Sequence, residues 1–156
     1  MNIIGAIVAG IVATLLMSMA LSGAPRMAMP KIDLVGLLGT LFSARENRVL
    51  GWMLHVAFGI VFALIYAAVW SLGVVAPGVT EGLIFGIAHW LIAGFLIGLL
   101  SAVHAGIRAG AVKDPGRYLR NLDASMGFFG GLMSHIVYGL TVGLVYNFFK
   151  LASGAV

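Results

Sequence analysis

Apolar residues run along this chain in four long blocks, from Asn2 to Ser22, Val49 to Val75, Gly82 to Ile107 and Met126 to Phe149. Each block holds at least the roughly 20 mostly apolar residues that an α-helix needs to cross about 30 Å of hydrocarbon. The lysines, arginines, aspartates, glutamates and the prolines Pro25, Pro30, Pro77 and Pro115 fall outside these blocks or at their very ends. The pattern predicts an all-α polytopic membrane protein: one domain over residues 1–156 with four uninterrupted transmembrane helices. Two shorter segments lie between the blocks. Over 30–42, apolar residues at 34, 35, 37, 38, 41 and 42 make a helical stripe too short to span, and so predict an interfacial helix. Residues 113–122 are its more polar counterpart. Thr80 and Asp123 stand where helix caps are expected.

An internal repeat organises the blocks. Gly51, His55, Phe58, Gly59 and Tyr66 in the second recur as Gly131, His135, Tyr138, Gly139 and Tyr146 in the fourth, at identical offsets. A weaker match relates Val8, Ala9 and Gly10 to Ile92, Ala93 and Gly94. A period of two spans implies two pseudo-repeated helical hairpins of the same orientation, related by an axis along the membrane normal.

Composition sharpens this picture. Of 156 residues, 62% are hydrophobic and 9% charged, and the mean hydropathy is +1.10, which excludes an ordinary water-soluble domain. The net charge of +4 does not indicate a nucleic-acid partner, because the basic residues gather in two short loops. Arg26, Lys31, Arg45 and Arg48 stand between the first two spans. Arg108, Lys113, Arg117 and Arg120 stand between the last two, against Lys150 alone on the other side. The positive-inside rule then predicts cytoplasmic loops, both termini outside and residence in the bacterial inner membrane. Trp52, Trp70 and Tyr146 suit interfacial belts. The first block lacks a basic leader and a small-residue cleavage site, and reads as a retained span. With no cysteine in the chain, disulfides and thiolate metal sites are ruled out.

The residues Met29 to Asp33, Gly51 and Trp52 with His55, Phe62 to Tyr66, Phe85 and Gly86 with His89 and Trp90, and His135 with Tyr138 and Gly139 resemble a family of small uncharacterised four-helix bacterial membrane proteins. The resemblance covers most of the chain. It implies the four-span topology and no activity.

Candidate chemistry centres on histidines. The fourth block carries Gly127, Gly131, His135, Gly139 and Gly143 at intervals of four, and the second carries Gly51, His55, Gly59 and Ala63. Small residues at this spacing let helix backbones approach, with histidines as interhelical hydrogen-bonding groups. A second reading starts from the cost of an ionisable group in the membrane. At 1.5 Å per residue His55 and His135 would lie about 9 and about 13 Å deep, at matching levels. Paired imidazoles are axial ligands of haem b, with Gly59 and Gly139 clearing space for the macrocycle and Arg48 and Arg120 meeting its propionates. Phe58 and Tyr138 would flank the ring. The two readings exclude one another at one face. A third combines Met17, Met19, Met27, Met29, Met53, Met126 and Met133 with His55, His135 and His104 as copper ligands. His89 has no evident partner at its depth, and a backbone carbonyl or water would serve it. Membrane spans free of carboxylate and proline argue against acid-relay and broken-helix transporters, and nucleotide-binding and hydrolase motifs are absent. Beyond the lipid bilayer, the expected partners are further copies of the chain, as a homo-oligomer, or subunits of a larger membrane complex.

Overall fold

A computed structural model of the chain describes residues 1–123 and 125–153. These residues are all-helical, with four helices long and apolar enough to cross a membrane. Helix α1 covers Ile3–Gly23, α2 Leu34–Gly39, α3 Arg48–Ser71, α4 Val79–Ile97, α5 Ala105–Arg108 and α6 Met126–Ala152. The candidate spans are Ile3–Met27, Arg48–Ser71, Val79–Ala102 and Met126–Ala152.

Polar side chains set the helix starts. Asn2 accepts a hydrogen bond from the Gly5 amide at 2.8 Å, Asn47 from Leu50 at 3.0 Å, and Asp123, as expected, from Met126 at 2.9 Å. Each meets an amide that the helix itself cannot satisfy. Helix α3 stops at Ser71, short of the expected 75, and Gly73 follows with φ of 78°. Helix α4 ends at Ile97, and the third candidate span closes at Ala102 through a 3-10 turn over Leu100–Ala102 rather than running on to 107.

The chain packs as two compact units. One comprises Met1–Ala20, Val56–His89 and Ser134–Val156. Its first helix turns a strip of small side chains inward: Ala6, Ala9 and Ala13 are fully buried and Thr14 nearly so. Small residues at this spacing let another helix come within backbone contact. Gly10 is seated against the main chain of Gly59 and Ile60. The weak match between Gly10 and Gly94 does not extend to packing, because Gly94 lies against the Tyr118 ring in the other unit. Trp70 and Tyr146, expected at interfacial belts, are buried against one another with ring centroids 5.5 Å apart.

The other unit comprises Leu21–His55 and Trp90–Met133. Helix α2 forms within the segment expected as an interfacial helix, but covers only Leu34–Gly39, and its Val35, Leu37 and Leu38 are buried inside the unit. Gly51 has no side chain because the Val35 carbonyl occupies that space. Past α2, Thr40 and Leu41 offer their carbonyls to the amides of Gly106 and Ala105, each at 3.0 Å. The 113–122 segment holds only a 3-10 turn at Arg117–Leu119, with Tyr118 and Leu119 at φ of 55° and 61°. Trp90, 2% exposed, packs on Tyr118, Phe128 and Gly131, and the Tyr118 hydroxyl donates to the Leu91 carbonyl at 3.1 Å.

Asp33 ties this unit together outside the spans. It caps α2 by accepting from Gly36 at 2.9 Å and receives Arg48 at 2.9 Å, while Arg48 also reaches Glu46 at 2.7 Å. The hydrogen bond from Arg48 holds the Asp33 carboxyl below its ordinary value, with partial burial acting in the opposite direction. A carboxyl lowered in the folded state stabilises the fold above its unfolded pKa of about 3.9, and that contribution disappears as pH falls through the folded value. Asp33→Ala is expected to cost about 1 kcal/mol through the lost cap. Thermal unfolding in detergent should show the difference between wild type and variant near neutral pH and its shrinkage below about pH 4.

Candidate functional site

Three helices of the first unit bring polar and aromatic side chains together in otherwise apolar surroundings. Phe62 and Tyr66 are one turn apart on α3, Phe85 and His89 one turn apart on α4, and His135 and Tyr138 three residues apart on α6. Spacings of three or four put each pair on one helix face. His89 is their meeting point. Its ring stacks on Phe62 at 3.7 Å between centroids, stands edge-on to His135 at 4.7 Å and to Tyr138 at 5.3 Å, and its Nδ1 lies 3.3 Å from the Tyr66 hydroxyl.

The hydrogen bonds fix a proton. The Tyr66 hydroxyl donates to the Phe85 carbonyl at 2.8 Å, so its single hydrogen is engaged. Contact with His89 then requires Nδ1–H of the imidazole to donate to the phenol oxygen, which assigns the Nδ1–H tautomer. Tyr138, 1% exposed, donates a short hydrogen bond to the Gly59 carbonyl. Ser134 Oγ lies 3.4 Å from Nδ1 of His135. The expectation that His89 lacks a partner is thus corrected: it is the centre of the cluster.

The glycines expected to clear space for a macrocycle are filled by protein. A methyl group on Gly59 would overlap the Thr14 hydroxyl, and one on Gly139 would overlap the Gly82 carbonyl and crowd the backbone of Gly86. Gly143 meets Gly78 and Gly82 in the same way. Two imidazoles trans to one another on one metal, each bond about 2 Å long, hold their ring centroids about 6 Å apart. The edge-on contact of His89 and His135 is closer than that.

The other residues expected at the site have their own surroundings. His55 belongs to the second unit, where its ring is 6.1 Å from that of Trp52. His104, fully buried, caps α5: its Nδ1 accepts from the Ile107 amide at 3.1 Å and its Nε2 donates to the Leu37 carbonyl at 2.8 Å. Both nitrogens are engaged, so it offers no lone pair to a metal. Arg48 binds Asp33 and Glu46. Arg120 is exposed, beside a surface hollow lined by Tyr118, Ser125, Phe128 and Phe129. Phe58 is 47% exposed whereas its repeat partner Tyr138 is buried, so the two do not flank a common ring. Met19, Met27, Met53, Met126 and Met133 are each more than 40% exposed. Among the described residues no three His, Cys, Asp or Glu side chains converge as a metal site.

The sequence profile of DUF6789, a family of unknown function, matches residues 1–154. The chain belongs to that family. No curated protein and no solved structure matches it. The DUF6789 match agrees with the resemblance drawn from the motifs around His55, Tyr66, His89 and His135. In the sequence the cluster is marked by aromatic pairs one turn apart on two helices, Phe62 with Tyr66 and Phe85 with His89, to which the symmetry of His55 and His135 does not point.

Removing the hydroxyl of Tyr138 is expected to cost about 0.6–1.7 kcal/mol, the range for interhelical hydrogen bonds in membranes. Gly139→Ala should cost more, about 2–3 kcal/mol, because backbone has to move. Gly23→Ala, where a methyl meets nothing within 4 Å, should be neutral. Unfolding of the three variants in mixed micelles checks the order Gly139 > Tyr138 > Gly23.

Proposed function

We propose that this membrane protein works without a prosthetic group, as a structural or accessory subunit that assembles with copies of itself or with a larger membrane complex. The observation that carries the reading is the closure of both glycine clefts: Gly59 is met by Thr14 and Gly10, and Gly139 by Gly82 and Gly86. The Thr14 side chain and the backbones of Gly82 and Gly86 fill the space beside these glycines, which supports a role without a macrocycle. The histidines and tyrosines then serve as hydrogen-bonding and ring contacts between helices, a role open to polar groups in a medium with no water to compete.

Two further features support an assembly role. Apolar side chains such as Ile65, Ile84, Leu91 and Leu144 project outward from the helices, at 48–61% exposure, and leave broad faces for lipid or other subunits. Among the described residues of the four candidate spans the one carboxylate, Glu81, lies in the first turn of α4 rather than at depth. Eight basic residues in the two connecting loops, against Lys150 at the other end, favour an inner-membrane orientation with those loops in the cytoplasm and both termini outside.

Haem b on His55 and His135, and copper on histidine and methionine, are the competing readings, and one preparation tests all three. Protein purified in mild detergent from cells supplied with haem precursor and copper should be colourless and free of stoichiometric metal. A Soret band with sharp α and β bands on reduction, lost in His55→Ala or His135→Ala, would overturn the proposal in favour of haem. Copper at one equivalent, lost with the same histidines, would overturn it in favour of metal handling.

A further inference from the structure

The two basic loops enclose a pocket that the helix packing does not use. It lies wholly within the second unit, has a volume of about 240 Å³, and is walled by Leu34 and Leu37 from α2, Ile97 from the end of α4, and Pro115, Leu119 and Leu122 from the second loop. Leu37, Pro115 and Leu119 are buried and make an apolar floor. Lys31 and Lys113, both exposed, stand at the rim on different loops, together with Asp33 and Glu46.

The charges at the rim are unequally committed. Arg48 bonds Asp33 through both of its terminal nitrogens, at 2.9 and 3.3 Å, and Glu46 at 2.7 Å, so one guanidinium is shared by the two carboxylates. Lys31, Lys113 and Arg48 together bring three positive charges against two negative ones. The surplus is a single positive charge, held by flexible ammonium groups above an apolar floor. That combination is complementary to an amphiphile with one negative charge.

Size narrows the choice. A cavity of 240 Å³ holds about eight waters at about 30 Å³ each, enough for a phosphate and a glycerol unit. It is smaller than the roughly 300–1,000 Å³ of sites that engulf a drug-sized molecule. The occupant must therefore leave its bulk outside, as a lipid does when its chains stay in the bilayer. Basic pockets at the ends of transmembrane helices commonly receive anionic headgroups.

We propose that this pocket seats the phosphodiester headgroup of an anionic glycerophospholipid, with Lys31 and Lys113 contacting the phosphate and Leu37, Pro115 and Leu119 lying under the glycerol. The site depends on the chain lying in a bilayer and is independent of whether the histidines carry a cofactor. It would tie the two loops to one lipid molecule and anchor the helix ends at the headgroup level.

Native mass spectrometry of the full chain, released from detergent after incubation with phosphatidylglycerol or phosphatidylcholine, tests this. Phosphatidylglycerol should be retained at one per chain in preference to phosphatidylcholine. Retention should fall about fivefold for each of Lys31→Ala and Lys113→Ala, remain with Lys31→Arg and Lys113→Arg together, and be untouched by Lys150→Ala. Lys31→Gln with Lys113→Gln gives the same reading if the alanine pair fails to fold. Equal retention of the two lipids, or a preference that survives loss of both lysines, would overturn the assignment. So would displacement of the lipid by millimolar sn-glycerol 3-phosphate or inorganic phosphate, which would identify a soluble phosphate as the ligand.

Discussion

The backbones of α4 and α6 touch at glycines, and the first unit depends on that contact. Gly82 and Gly86 face Gly139, and Gly78 and Gly82 face Gly143, so two turns of each helix lie side by side with no side chain between them. In water such a contact would be a minor part of a hydrophobic core. In lipid, where burying an apolar side chain against another gains little over burying it in acyl chains, close packing and hydrogen bonding are the available sources of helix association. The same device joins α1 and α3 at Gly10, Thr14 and Gly59.

Close approach of the helices makes the tyrosines useful. All four tyrosines of the chain bond a backbone group distant in sequence: Tyr66 to Phe85, Tyr118 to Leu91, Tyr138 to Gly59, and Tyr146 as acceptor from the Asn2 amide at 3.1 Å. Carbonyls inside a helix keep a second lone pair after accepting their own i+4 amide, and a phenol can reach it only where the acceptor's surroundings are small. Gly59 meets that condition directly. With hydroxyls placed on carbonyls, His89 and His135 fill the remaining space as flat polar rings against Phe62 and Tyr138. A buried histidine pair is thereby accounted for by the packing of its own unit.

Much of this was legible in the sequence because the membrane imposes a length and a composition that no soluble fold shares. The four spans follow from the runs of apolar residues, and Asp123 as a cap from its place before the fourth. The glycine rows at intervals of four correctly marked packing faces, but which helix fills a groove depends on tertiary arrangement, and sequence spacing is silent on that. The repeat is silent on it too. His55 and His135 are equivalent in sequence, and the equivalence gives no sign that the His135 ring meets His89, which has no counterpart in the repeat. Within the segment 113–122 the left-handed backbone of Tyr118 and Leu119 was not legible either, because only their packed surroundings sustain it.

His89 and His135 meet edge to face inside the helix assembly of the first unit. Solid-state NMR of protein reconstituted in lipid bilayers, with ¹³C and ¹⁵N labels in histidine, measures that distance directly. Through-space transfer between the His89 and His135 rings is expected, with ring centroids 4.7 Å apart, and it should vanish in His89→Phe while the remaining spectrum is kept. Absence of the transfer in otherwise well-resolved spectra, or paramagnetic loss of the His135 signals in protein as isolated, would contradict that contact.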